Sequence, residues 1–105
     1  MCSSDLYEAG EGAHDPLWRL PLHAGYRRHL ESELADLKNA AATSFAGATI
    51  AALFLKEFVG GARTWVHLDT PAWNDRARPG RPQGGEASGL RAIWHYLRAR
   101  YAAES

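Results

Sequence analysis

Apolar residues recur at helical spacing in three parts of this chain. Between Tyr26 and Leu37 they are separated by three or four positions, which predicts an amphipathic helix over about 24–36. Residues 45–59 are apolar on nearly every side up to Gly60-Gly61, which predicts a second, largely buried helix. A third apolar stripe predicts the last helix, 90–101, and consists of Leu90, Ile93, Trp94, Leu97 and Tyr101.

The strand pattern is much sparser than the helical pattern. T-W-V-H-L, residues 64–68, predicts a short strand directly after the second helix. W-R-L-P-L, residues 18–22, alternates only briefly, and Pro21 confines it to a sheet edge or an extended connection. Residues 70–87 hold three of the five prolines and predict a long loop. Because one strand needs hydrogen-bonding neighbours on both sides, the pattern predicts the end of a larger α/β domain.

The start of the chain and the entry into the second helix carry weaker patterns. Residues 1–16 have no sustained periodicity and are predicted to form an irregular lead-in to a folded part over 17–105. The stretch M-C-S-S-D-L matches the translation of a common sequencing adapter from a GTG start, which suggests that residues 1–6 are an artefact. Thr43 or Ser44 is expected to cap the second helix, and Gly47 predicts a close backbone approach.

Composition narrows the classes of partner. The 105 residues suffice for one small domain, and twelve basic and twelve acidic residues leave a formal charge of +0. A neutral chain has no net field that would draw it to nucleic acid or to an anionic membrane, so neither partner is expected. The longest strongly apolar run, 50–55, is far below the roughly 20 residues that span a bilayer. One cysteine, Cys2, permits no internal disulfide, which fits a cytoplasmic protein.

Two short motifs invite a sharper functional interpretation. His67 and Asp69 lie two apart on the predicted strand and share a face, as a metal-binding pair would. With no third ligand nearby, we favour a histidine bonded to backbone and an aspartate that caps the next turn. R-A-R-P-G-R-P, residues 76–82, is superficially similar to an arginine hook for the DNA minor groove. The order of its residues differs from that motif, so a solvated or subunit-contacting loop is the preferred interpretation.

A series of short blocks together resembles the C-terminal part of the leucyl aminopeptidase (cytosol aminopeptidase) family, over about residues 17–103. The blocks are W-R-L-P-L (18–22), A-D-L-K-N (35–39), A-G-A-T-I-A-A-L-F-L-K-E-F-V (46–59), W-V-H-L-D (65–69), P-G-R-P-Q-G-G-E (79–86) and L-R-A (90–92). The resemblance implies part of an α/β catalytic domain, in which three helices pack against the edge of a mixed sheet. It further implies two divalent metal ions (zinc, manganese or magnesium), a peptide substrate that loses its N-terminal residue, and a cytoplasmic hexamer.

The departures from the family pattern limit what can be transferred to individual residues. The family's metal ligands and catalytic residues lie in a lysine- and aspartate-bearing segment and in an N-T-D-A-E-G-R block, and both precede the part matched here. We therefore transfer no metal ligand and no catalytic residue, and we expect this chain alone to be inactive and to bind no metal. The alternative is a non-enzymatic, stand-alone α/β or helical interaction module.

The resemblance points to one candidate part of a substrate pocket. In the family, the segment after the H-x-D strand contributes to the wall of the pocket for the substrate side chain. The corresponding residues are Thr70, Pro71, Ala72, Trp73 and Asn74. Pro71 departs from the family pattern, so the shape of the pocket does not transfer. The simpler alternative is that Trp73 only covers the core beneath a loop.

Overall fold

The computed structural model describes residues 3–41, 43–44, 46–61 and 64–102. Its α-helices are α1 (Ser3–Gly12), α2 (Gly47–Lys56) and α3 (Leu90–Tyr101), and a 3-10 helix spans Ala24–Leu30. Two strands, β1 (Trp73–Asn74) and β2 (Gly84–Gly85), form an antiparallel two-stranded sheet. Helices with a small sheet are consistent with the α/β class.

The chain divides into two compact units, which are treated one at a time. The terminal unit comprises Met1–Arg19 and Leu68–Ser105 and contains α1, α3 and both strands. The middle unit, Leu20–His67, contains the 3-10 helix and α2.

In the terminal unit, α1 packs against α3. Leu6 of α1 and Ala92 of α3 are both buried, and a Cβ added at Gly10 would lie 3.4 Å from the Cβ of Ala92. The same added atom would lie 2.7 Å from the carbonyl oxygen of Asp15, so only glycine fits without a shift of the backbone. The prediction of an irregular lead-in over 1–16 is therefore wrong for Ser3–Gly12. Packing against α3 stabilises a helix whose own sequence pattern is weak.

The middle unit has a small core of Leu30, Ile50 and Leu53. Partly buried apolar side chains surround it, namely Tyr26, Leu37, Ala41 and Phe54. Beside the core lies an apolar cavity of about 360 Å³, lined in part by Ile50, Ala51 and Phe54. On the surface of this unit the Arg27 guanidinium donates to the Glu57 carboxylate at 2.6 Å, and this hydrogen bond lowers the pKa of Glu57.

The predicted helix over 24–36 is wrong beyond Leu30. After the 3-10 helix, Glu31 adopts an extended conformation, and Ser32 Oγ accepts hydrogen bonds from the backbone N–H groups of Leu34 and Ala35. Serine side chains that bond nearby backbone groups compete in this way with helix formation. Leu34, placed on the apolar face by its spacing, is 99% exposed.

The second predicted helix is confirmed as α2, with shorter bounds than 45–59. Its N-cap is Ala46 in a left-handed conformation with φ 54°, so the prediction of a cap at Thr43 or Ser44 is wrong. A Cβ added at Gly47 meets no atom within 4 Å among the described residues, which contradicts the predicted close approach. Residue 45 lies outside the part of the chain that the structure describes.

Residues 64–68 form no regular strand in the structure, contrary to the prediction. A strand requires a neighbour for its backbone groups, and the strands of the described residues pair only with each other. The predicted loop over 70–87 instead contains β1 and β2. The mixed sheet expected for a complete domain remains a prediction.

The last helix is confirmed as α3, but its apolar stripe faces outward. The exposed fraction is 63% for Leu90, 60% for Trp94 and 69% for Tyr101. Ala92, in contrast, is fully buried within the terminal unit. The side of α3 that contacts α1 is thus the side with the small residue. The large apolar side chains of α3 have little cover within this chain.

Candidate functional site

The predicted pocket wall, which we call the wall turn (Thr70–Asn74), has an irregular backbone up to Ala72 and ends in β1. Ala72 has φ 51°, a left-handed conformation that is uncommon for residues other than glycine. Its backbone N–H donates to Thr70 Oγ1 at 3.2 Å, and its carbonyl accepts the backbone N–H of Glu86 at 2.9 Å. The middle of the wall turn is therefore attached to the segment that leads into α3.

The end of the wall turn continues into the small sheet. Trp73 lies opposite Gly85, and Asn74 lies opposite Gly84. Gly84 has φ 124°, a conformation that side chains strongly disfavour. Trp73 remains 56% exposed, whereas Asn74 is buried at 7% exposure. The two neighbouring residues of β1 therefore have different roles, one on the surface and one inside.

The Asn74 side chain closes the hairpin between β1 and β2. Its Nδ2 donates to the carbonyl oxygens of Arg81 at 3.1 Å and Pro82 at 2.9 Å. Both N–H groups of the amide are thereby used, as expected for a buried polar group. A short bridge between Arg78 and Arg81, with both N···O distances 2.8 Å, forms the tip of the hairpin.

Arg81 contacts three separate parts of the terminal unit. Its guanidinium donates to the Glu86 carboxylate and to the carbonyl oxygen of His14, and its own carbonyl accepts from Asn74. Its side chain is only 20% exposed. The Arg81 side chain is therefore not the freely solvated one expected for the loop 76–82, and a subunit contact by this loop stays a prediction. A cavity of about 180 Å³ lies beside the Arg81–Glu86 pair, and no residue of the wall turn lines it.

A buried carboxylate supports the start of α3. Asp15 is 3% exposed and accepts backbone N–H groups from Gly89 at 3.0 Å, Arg91 at 3.0 Å and Ala92 at 3.2 Å. Gly89, the N-cap residue, has no side chain to do this, so Asp15 supplies the cap from elsewhere in the sequence. Burial alone raises the pKa of Asp15, but the three N–H donors and Arg81 outweigh it and lower the pKa below 3.8.

The residues of the suggested metal pair fall in different units. His67, partly buried, ends the middle unit, and Asp69, exposed, belongs to the terminal unit. Within the ranges that the structure describes, no group of three or more His, Cys, Asp or Glu side chains could hold a metal ion. His67 and Asp69 therefore do not fit a two-metal centre. No helix of the described ranges is long and apolar enough to cross a membrane.

Comparison with known proteins decides the family. The model of the cytosol aminopeptidase family, catalytic domain, matches residues 1–94. The chain belongs to the cytosol aminopeptidase family. The match begins upstream of residue 17, where the resemblance of the sequence blocks was expected to start. It also takes in residues 1–6, whose origin as an adapter artefact remains a prediction.

Several cytosol aminopeptidases are similar to this chain over most of its length. A probable cytosol aminopeptidase of Synechococcus sp. (strain WH7803) is 41% identical over 97 residues, which are 90% of this chain and 20% of the relative. One of Geobacter sp. (strain M21) is 43% identical over 98 residues, 90% of this chain and 19% of the relative. The crystal structure of the cytosol aminopeptidase from Coxiella burnetii has 50% sequence identity and a TM-score of 0.87, and the match covers 94% of this chain and 22% of that one. The chain thus spans about a fifth of the length of these relatives.

In this cytosol aminopeptidase segment, the predicted wall residues lie together but are not equivalent. Thr70, Pro71, Ala72 and Trp73 are exposed, while the Asn74 amide is directed into the hairpin. Sequence reasoning missed the contacts of Asp15, Arg81 and Glu86. The N-cap position of α3 carried a signal, because a glycine there leaves the first N–H groups of the helix in need of an acceptor. The acceptor itself, 74 positions earlier, has no local signature.

Proposed function

We propose that this chain is the C-terminal part of the catalytic domain of a two-metal, leucyl-type aminopeptidase that releases N-terminal amino acids from peptides. The observation that carries the proposal is the match to the Coxiella burnetii enzyme, at 50% identity over 94% of this chain. In this proposal the two ions, zinc, manganese or magnesium, are held by upstream residues. The complete protein is a cytoplasmic hexamer.

Two features of the fold support a role as part of a larger domain. The apolar stripe of α3 is exposed, and residues 64–68 form no regular strand. Both are expected where a mixed sheet and further helices of the complete domain cover these surfaces. In that domain this segment contributes an edge of the sheet, part of the outer helical layer and, through the wall turn, one side of the substrate pocket.

The stand-alone module is less well supported, because the proteins that this chain matches are cytosol aminopeptidases by name. The behaviour of the isolated chain in solution separates the stand-alone module from the domain fragment. A monodisperse, cooperatively melting 105-residue protein favours the module, whereas aggregation or a molten state favours the domain fragment.

A chimera tests the enzymatic proposal directly. In it, the matched segment of this chain replaces the corresponding segment of the Coxiella burnetii enzyme. We expect the chimera to hydrolyse leucine amide and to lose this activity with a chelator, while the isolated chain has none. Chelator-sensitive turnover by the isolated chain would contradict the proposal. So would a chimera that assembles and melts like the unmodified enzyme but has no activity.

A further inference from the structure

The wall turn has two attachment points, one on each side of Trp73. On one side, the Ala72 carbonyl accepts the Glu86 N–H at 2.9 Å. On the other, the Asn74 amide donates to the carbonyl oxygens of Arg81 and Pro82 at 3.1 and 2.9 Å. Trp73, which is more than half exposed, therefore lies between two fixed backbone positions.

The two attachment points are themselves connected. Arg81, whose carbonyl accepts from Asn74, donates through its guanidinium to the Glu86 carboxylate. Glu86 in turn donates its backbone N–H to Ala72. The contacts form a closed ring that runs from Ala72 to Glu86, Arg81, Asn74 and, through Trp73, back to Ala72. A closed ring restricts the wall turn more than either attachment does alone. If only one attachment were present, the wall turn could rotate about it.

We infer that Asn74 is a positioning residue that sets the geometry of the substrate-pocket wall through its bonds to the Arg81 and Pro82 carbonyls. This inference rests on the proposed function, in which Thr70–Trp73 border the pocket. Asn74 does not itself contact the substrate, because its amide N–H groups are used within the hairpin and its side chain is buried. It acts on substrate selection by fixing the exposed residues that precede it.

The variant Asn74→Asp changes the ring with almost no change in size. It replaces the N–H groups with an oxygen that faces two carbonyl oxygens, so that attraction becomes repulsion. Because apolar pockets distinguish side chains by roughly 10- to 200-fold per methylene, a displaced wall alters this discrimination. We expect the kcat/KM ratio of leucine amide to alanine amide to change roughly tenfold, through KM, with kcat within about twofold.

The measurement is steady-state kinetics of the chimera and its variants. Asp75→Asn is the matched control, because Asp75 is the exposed neighbour of Asn74, and its substrate ratio should equal that of the chimera. Inactivity of the unsubstituted chimera counts against the proposed function, and not against Asn74 in particular. An active chimera in which Asn74→Asp leaves the substrate ratio unchanged overturns the inference, and so does an equal loss of kcat for both substrates.

A second variant decides the question if Asn74→Asp yields no folded enzyme. Glu86→Gln weakens the contact with the Arg81 guanidinium but keeps the backbone N–H that binds Ala72. A ring of contacts requires this variant to shift the ratio through KM, by a smaller factor of about threefold. An unchanged ratio in Glu86→Gln then rejects the inference.

Discussion

Removing the Asp15 carboxylate should destabilise the terminal unit more than any surface substitution. Asp15 accepts three backbone N–H groups at the start of α3, and those of Gly89 and Ala92 are buried. Asp15→Ala leaves these donors without their acceptor. Asp15→Asn keeps one acceptor oxygen but turns an NH₂ group toward an N–H donor, so it should cost less than alanine.

The expected magnitude follows from the kind of bond that is lost. Removal of an N-cap costs about 0.5–2 kcal/mol, and a buried donor left unpaired costs about 1–3 kcal/mol. With two buried donors and one that is partly buried, we expect Asp15→Ala to lower the free energy of unfolding by about 3 kcal/mol. For Asp15→Asn we expect about half of that value.

The pH dependence has a defined sign. The folded-state pKa of Asp15 lies below 3.8, so ionised Asp15 stabilises the fold fully above pH 3.8 and progressively less as the pH falls toward the folded pKa. The stability difference between the wild-type chain and Asp15→Asn should therefore be largest above pH 3.8 and shrink below it.

Urea unfolding of the chimera, which carries this segment within a complete catalytic domain, measures these differences by far-UV circular dichroism and tryptophan fluorescence. Asp75→Asn, at an exposed position of the same unit, is the control and should leave the midpoint unchanged. An Asp15→Ala midpoint equal to that of the wild type would refute the capping role. A stability difference that does not depend on pH would refute the role of the ionised carboxylate.

Four further substitutions test other parts of the fold. Gly10→Ala should lower the unfolding free energy by about 1–3 kcal/mol, because its Cβ meets a backbone oxygen at 2.7 Å. Gly47→Ala should raise the unfolding free energy by about 0.4–1 kcal/mol, because its Cβ meets no described atom within 4 Å. The urea midpoints of the two variants should therefore move in opposite directions. Arg27→Ala should leave the midpoint nearly unchanged, because its pair with Glu57 is largely solvated, and a shift as large as that of Gly10→Ala would contradict this. Trp94→Gln should reduce the binding of a hydrophobic dye to the chain in a fluorescence titration, and unchanged dye binding would place the exposed apolar surface elsewhere.

Sequence periodicity predicted the helices whose patterns are long and regular. α3 is a twelve-residue amphipathic helix, and α2 has a dense apolar sequence that ends before two glycines. The direction of the α3 stripe was not predictable, because a pattern indicates which face is apolar but not whether this chain supplies the surface that covers it. Periodicity was wrong after Leu30, where the Ser32 hydroxyl bonds to backbone that a helix would otherwise use.

The location of the candidate site is a prediction from the family resemblance, and its internal contacts could not be predicted from the sequence. The family resemblance indicated Thr70–Asn74, and this expectation of a pocket wall remains a prediction. The separate role of Asn74 could not be read from the sequence, because its partners are the carbonyl oxygens of Arg81 and Pro82, seven and eight positions away. Any residue has a carbonyl oxygen, so such an acceptor leaves no mark on composition or spacing. α1 was missed for a similar reason, since its stability depends on contacts with α3.

The DNA sequence upstream of the first codon tests the central claim most directly. If this chain is the C-terminal part of an aminopeptidase catalytic domain, the genomic reading frame should continue upstream and encode the N-T-D-A-E-G-R block before W-R-L-P-L. A native promoter and start codon immediately in front of Cys2 would contradict the claim and leave the stand-alone module as the account of this protein.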